Sequence, residues 1–504
     1  MAFFFLVFFD IGMPCYAATR NAPTRPLVTS GSMLFSSPVF LTVFLPIVLG
    51  AYFLSPSRAR NSVLLAASLF FYTWGSGPYV FVLIVSGLAA WIFGARIAAA
   101  KRADERTVAL VGAATILLLT PLVYFKYASW FSTNIAGLLS VVGVPFPELQ
   151  ERSLPIGISF FTFQALSYVF DVNRSDAFPQ RRFRDFLLYL ALFPQLIAGP
   201  IVRYQTIADQ LTTRTSDADR VTSGIQRFVF GLAKKVVVAD SVGSVASAAF
   251  ASPDPSTLTA WIGIIAFTIQ IYFDFSGYSD MAIGLGKIFG FDFPENFHRP
   301  YSALSITDFW RRWHITLSTW FRDYVYIPLG GNRVSTGRQY LNLVTVFFLT
   351  ALWHGAAWTF MAWGGLHATA LIVERLTGTN HVERPRHPVI ARARTALLVT
   401  TFWVFFRANT IDDATRLLGA MYTWQGVALE PAFAATLTAR SVPVLIAACA
   451  IFVLPREPVD RFAVDRSTTT LLAVARPAAV ATTLVLSFGL ISTGSLSPFL
   501  YFQF

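Results

Sequence analysis

Apolar runs long enough to cross a bilayer recur along this chain from Pro38 to its end, with few polar residues between them. Inside hydrocarbon every backbone N–H and C=O must find its partner within the protein, so runs of this kind become helices packed side by side. Hydropathy gives roughly ten to twelve spanning or half-spanning segments. We therefore expect an all-α polytopic integral membrane protein without a separate soluble module. Composition agrees, since 55% of the 504 residues are hydrophobic and only 13% charged, against about 25% charged in soluble globular chains.

The net charge of +12 does not point to nucleic acid, because Lys and Arg fall in short loops between apolar runs rather than on one basic surface. Positive-inside topology explains them. Cys15 and Cys449 are far apart, with no histidine or cysteine at ligand spacing, so neither a disulfide framework nor a metal site is expected. At the N-terminus, "MAFFFLVFF" has no basic residue before its apolar core, whereas Met33 opens a cleaner first transmembrane helix, "MLFSSPVFLTVFLPIVLGAYFL". Residues 1–32 are read as an extension, a mis-start or weak signal, ahead of a single transmembrane domain over 33–504.

Arg58 and Arg60 follow the first helix, "SGPY" separates the second from the third, and "RIAAAKRADERT" comes next. These basic loops are expected to face the cytoplasm. Basicity returns between Asn173 and Asp185, which suggests that one preceding run does not span. The segment "LPIGISFFTFQALSYVF", with Pro155 and Gly157, is the expected re-entrant or broken piece, lining a cavity. "FPQLIAGPIVRY" is interrupted by Pro194, Gly199 and Pro200, and "QIYFDFSGYSDMAIGLGKIFGF" places Asp274 and Asp280 among aromatics. Carboxylates there need partners. Taken singly, each of these residues is explained by capping or small-residue packing.

The most polar stretch is "SITDFWRRWHITLSTWFRDYVYIPLGGNR". Treated as a helix at about 100° per residue, it puts Arg311, His314, Ser318 and Arg322 on one stripe with Asp308 beside it, and Trp313, Leu317, Trp320 and Tyr324 opposite. Ser305 or Thr307 would start the helix, and Pro328, Gly330 and Gly331 would stop it. An interfacial helix fits this pattern. It accounts less well for an imidazole between arginines, which suits a cationic, hydrogen-bonding wall for an anionic ligand. A second histidine, His354, sits inside "VTVFFLTALWHGAAWTFMAWGGLHA", read as a span, where intramembrane ionisable residues are functional hypotheses. Gly355, Ala356 and Ala357 are expected to leave space beside it, with Thr350 and Trp358 on its face. His367 is read as packing, and His298, His381 and His387 as loop residues.

No G-x-S-x-G, H-E-x-x-H, P-loop or dinucleotide fingerprint is present. A covalent acyl-enzyme on an activated Ser or Cys is thus unsupported. What remains is a histidine in a dry cavity, whose neutral ring can act as general base.

"FWRRWHITLSTWFRDYVYIPLGGNR" followed by "LWHGAAWTFMAWGGLH" resembles the membrane-bound O-acyltransferase (MBOAT) family, and within it the bacterial branch that acetylates exported polysaccharides of the alginate type. The likeness extends to "PIGISFFTFQALSYVFDV", "FPQLIAGPIVRY", "YFDFSGYSDMAIGLGKIFGFDFPENFHRPY" and the terminal "FLYFQF". It implies a helical disc with re-entrant segments and a central catalytic tunnel, in the bacterial inner membrane. In such proteins the W-H-G histidine, here His354, is catalytic and the upstream residue, here His314, assists it. The lipid-modifying branch has W-N-x5-W, whereas this chain has His314 between Trp313 and Trp320.

The expected reaction moves an acetyl group from a cytoplasmic thioester, with acetyl-CoA as co-substrate and no bound cofactor, to a hydroxyl of an exopolysaccharide or to a periplasmic acetyltransferase partner. Arg311, Arg312 and Arg322 are candidates for donor phosphates unless they pair with Asp308 or Asp323. Ser318, Trp353 and Asp308 are further candidate contacts, and membrane lipid surrounds the whole. Two other readings stay open: a lipid acyltransferase of the same family, and a transporter or flippase with a histidine proton relay.

Overall fold

The computed structural model describes residues 33–379, 387–453, 470–492 and 499–500. The expected N-terminal extension, His381 and the last four residues of "FLYFQF" lie outside the described residues. Among those described, every regular element is helical. Four stretches have the length and apolarity of membrane spans, Ser57–Arg102, Val108–Ser140, Thr257–Ile288 and Pro388–Arg407, and Phe40–Leu54, Ser441–Phe452 and Pro477–Ser492 are shorter apolar helices. The first stretch bends at Gly77, whose φ of 53° opens the short turn between helices Ser57–Ser76 and Val80–Arg102.

Three basic loops meet on one face, as the charge pattern requires. Lys101 Nζ donates to the Asn173 carbonyl at 2.6 Å and to Ser175 Oγ at 2.7 Å. Asn61 Nδ2 donates to Asp185 Oδ1 at 3.0 Å and Arg184 to Ser62 Oγ at 3.3 Å. The chain leaves this face along Val108–Ser140 and returns along helix Ile158–Arg174. The return begins beside the far end of Ser57–Ser76, where Ile156 N–H donates to Ser76 Oγ at 3.3 Å. Between these two ends one helix goes out and the helix Ile158–Arg174 comes back. Pro155 and Gly157 act only where the returning helix begins. Gly157 has φ 73°, and a Cβ there would lie 2.4 Å from the Leu196 carbonyl oxygen.

Two reciprocal glycine pairs set one close helix crossing. A Cβ on Gly231 would lie 2.6 Å from the Gly277 carbonyl and one on Gly284 2.6 Å from that of Gly224, so helices Ala218–Ala233 and Thr257–Ile288 run antiparallel with their backbones nearly touching. Small residues permit such approach where lipid offers no hydrophobic drive. The crossing also supplies the partners that the buried carboxylates need. Asp280 takes Arg227 at 2.8 Å and Lys234 at 2.5 Å, while Asp274 takes Lys235 at 2.8 Å. Lys235 is shared with Asp240 at 2.7 Å, and the Leu500 N–H donates to Asp274 Oδ2 at 2.8 Å, docking the C-terminal segment.

Val344 to Ala368 is not one span. Helix Thr336–His354 ends at Gly355, and Trp358–Leu376 runs back beside it. The far ends meet at one place, where Arg375 Nη1 donates to Tyr326 OH at 3.2 Å and to Gln339 Oε1 at 3.4 Å. Inside the hairpin a Cβ on Gly364 would lie 2.7 Å from the Phe347 carbonyl. Hydropathy cannot separate such a hairpin from a span, because both arms and the tip are apolar.

Candidate active site

His354 closes the outgoing arm of the hairpin and is 3% exposed. Its ring packs against Trp353 and Trp363 at centroid distances of 5.0 Å each and against Phe406 at 5.1 Å. The expected open space beside it is absent: a Cβ on Gly355 would lie 2.1 Å from Phe360 Cε2, so glycine is there because the tip is closed by an aromatic ring. Thr350 is buried on the same helix, but Trp358 belongs to the returning arm, is 58% exposed, and donates to Asn134 Oδ1 at 2.9 Å. The expected shared face is broken by the turn.

The carbonyls at a helix C-terminus have no partner within the helix, and here another helix supplies them. Lys126 Nζ donates to the carbonyls of Trp353 at 2.6 Å and His354 at 3.1 Å, and Tyr127 OH donates to that of Leu352 at 2.7 Å. Both come from the π-helical stretch Val123–Tyr127, whose widened turn interrupts the long helix. A cation at the negative end of a helix dipole is favourable. Lys126 was missed in the sequence reading, although a lone lysine in "VYFKYASWF" carries the signal that applies to any intramembrane charge.

His314 stands where the polar stretch breaks. The expected continuous helix is replaced by Ile306–Trp310 and Ile315–Phe321, with His314 between them at φ 42° and ψ 54°, a left-handed conformation uncommon for a residue with a Cβ. The stripe of Arg311, His314, Ser318 and Arg322 therefore does not exist. Periodicity could not reveal this, because the break is imposed from outside. Ser305 Oγ accepts from the Asp308 N–H at 3.0 Å as expected of a cap, and Glu374 from the hairpin's returning arm accepts from the Thr307 N–H at 2.9 Å. The segment around Asn296 pairs with the break: the Ile315 N–H donates to the Asn296 carbonyl and the His298 N–H to that of Arg312, both at 2.9 Å.

The break sends the predicted residues to different places. His314 is fully buried and packs on Phe275 at 4.7 Å and Trp353 at 5.7 Å. Arg311 and Arg322 are exposed, and Arg312 is partly buried. Arg312 pairs with Asp308 at 2.7 Å and Arg322 with Asp323 at 2.6 Å. Ser318 Oγ donates to the Trp313 carbonyl at 3.4 Å. Among the described residues no cationic wall surrounds His314. Instead Trp353, from the hairpin, packs against both imidazoles. His367 accepts from Trp310 Nε1 at 3.2 Å among aromatic rings, which agrees with a packing role, and among the described residues no cluster suited to a metal occurs.

Two buried histidines from separate elements thus pack against one indole. The sequence profile described as MBOAT, membrane-bound O-acyltransferase family, matches residues 109–406, a span that contains both histidines. The chain is 41% identical over 503 residues to a "Probable alginate O-acetylase AlgI" of Azotobacter vinelandii, covering 94% of this chain and 100% of that protein. It is 36% identical over 435 residues to a "Peptidoglycan O-acetyltransferase" of Helicobacter pylori, covering 79% and 81%. A "Teichoic acid D-alanyltransferase" of Bacillus subtilis shares 28% identity over 229 residues, 43% of this chain and 58% of that protein. This chain belongs to the membrane-bound O-acyltransferase family and is a membrane acyltransferase, and the transporter reading gives way to that membership.

Proposed function

We propose that this enzyme moves an acetyl group from a thioester, acetyl-CoA, presented at the basic face on the cytoplasmic side of the inner membrane, to a hydroxyl on the opposite side. The acceptor is an exported polysaccharide or a periplasmic acetyltransferase partner that relays the group. The observation that carries this reading is the meeting of His314 and His354 at Trp353, in a chain similar to polymer acetylases along nearly its whole length.

In this mechanism the acceptor oxygen forms a bond to the acetyl carbonyl carbon while His354 takes its proton. The C–S bond then breaks, and the thiolate leaves with the proton that His354 returns. His314 orients the acceptor by accepting a hydrogen bond from it. Arg311 is exposed, and we assign it to the donor phosphates. Arg312 and Arg322 hold carboxylates instead.

The test is incubation of the purified protein in lipid with radiolabelled acetyl-CoA and palmitoyl-CoA. Consumption of acetyl-CoA that disappears in His354→Ala is expected. Preference for palmitoyl-CoA would replace this reading by a lipid acyltransferase.

A further inference from the structure

Asn296 is 1% exposed, lies in the segment that pairs with the backbone break at His314, and is touched from four directions. Its Nδ2 donates to the Gly199 carbonyl at 3.3 Å and to Ser279 Oγ at 3.1 Å. Its Oδ1 accepts from the Thr316 hydroxyl at 2.9 Å and from the Thr316 N–H at 3.4 Å. The same Oδ1 is 3.1 Å from His314 Nδ1.

These contacts settle which way the amide points. A peptide carbonyl such as that of Gly199 can only accept, and a peptide N–H such as that of Thr316 can only donate. Flipping the amide would set an NH2 against an N–H and an oxygen against a carbonyl. The Thr316 hydroxyl is committed as well, because its oxygen accepts from the Ile201 N–H at 2.9 Å and its proton is left for Asn296. An amide oxygen fixed in this way has no proton to give, so the nitrogen facing it must bring one.

We propose that Asn296 is the positioning residue for His314, holding the proton on Nδ1 so that the neutral ring acts through Nε2. The inference rests on the acyl-transfer reading of the site for its function, though not for its geometry. A neutral imidazole otherwise exchanges its proton between two nitrogens, and only one tautomer directs the lone pair of Nε2 outward from the Asn296 network. The amide also fixes the ring plane, and it is itself fixed. Its neighbour Glu295 binds Arg227, and the broken segment "AGPIV" supplies Gly199 and Ile201. That segment and the "FPENF" stretch thereby acquire a common purpose at the site.

The first measurement is solid-state NMR of the wild-type protein in lipid with nitrogen-15 histidine, tractable because the chain has six histidines, with His314→Asn to assign the signal. A neutral His314 protonated on Nδ1 is expected, and protonation on Nε2 overturns the proposal without needing any Asn296 variant to fold. The second is a double-mutant cycle on turnover. Asn296→Ala should lower kcat about as much as one lost preorganised contact does, on the order of tenfold to a hundredfold, and should cost nothing further when His314 is already Ala. Additive losses would make Asn296 merely structural. Should the wild-type protein transfer no acetyl group from the thioester, the acyl-transfer reading fails while the tautomer measurement stands. Should His354→Ala be dead and the tautomer be the other one, the positioning proposal alone fails.

Discussion

His314 and His354 share one indole neighbour but are held by different means. Hydrogen bonds from three separate segments converge on the Asn296 amide that orients His314, and the backbone there adopts a left-handed conformation. His354 sits on ordinary helical backbone at the tip of a hairpin, with its ring among aromatic neighbours and its carbonyl taken by Lys126. The difference teaches how each should respond to change. Hydrogen bonds are directional and specify a tautomer, whereas packing specifies place and excludes water.

The sharpest break in the comparison is His354→Ala. We expect transfer to be abolished, a loss on the order of a thousandfold or more by the usual contribution of general-base groups, with membrane insertion intact. Wild-type turnover in this variant would remove His354 from the chemistry.

At His314 the outcome separates orientation from proton transfer. His314→Asn keeps a donor and an acceptor but cannot carry a proton near neutral pH, so a purely orienting role predicts substantial activity. His314→Ala should lose on the order of a hundredfold. Equal damage from both, with unchanged thermal melting, would replace the single-base mechanism by a two-histidine relay.

Gly355→Ala tests whether the His354 side is governed by packing. The new Cβ meets the Phe360 ring, and overpacking of this kind costs about 1–3 kcal/mol, read as a lowered melting temperature that Phe360→Leu should partly restore. Lys126→Met keeps the side-chain volume but removes the donors to the tip. Hydrogen bonds from charged groups contribute about 1.5–3 kcal/mol, so a stability loss with a fall in kcat and an unchanged donor KM is expected. A change confined to KM would assign Lys126 to donor binding instead.

The smallest effect is expected at Arg322. Its side chain is 59% exposed in the pair with Asp323, and exposed pairs contribute within about 1 kcal/mol. Arg322→Ala should leave turnover nearly unchanged, while Arg311→Ala should raise the KM for the thioester.

Both candidate histidines were legible as residues, His354 because an imidazole in an apolar run demands a reason and His314 because it interrupts a run of tryptophans and arginines. Their supports were legible only in part. Lys126 carried an available signal, being a cation in hydrocarbon. Asn296 carried none, since one asparagine in "FPENFHRPY" looks like any loop residue. The helical stripe through Arg311, His314, Ser318 and Arg322 misled because angular arithmetic assumes an unbroken helix.

The linear order of residues determined that this chain is a bundle of membrane helices, which of its faces is basic, and that its buried carboxylates need partners. These follow from solvation, a property that each residue carries with it. The tertiary structure alone decided that Val344 to Ala368 folds back on itself, that the polar stretch breaks at His314, and that Trp353 lies against both histidines. The physical reason is that a break or a reversal is selected by groups far away in sequence, here Asn296 at the broken backbone and Lys126 at the hairpin tip, whose hydrogen bonds satisfy backbone and ring atoms that local sequence leaves unsatisfied.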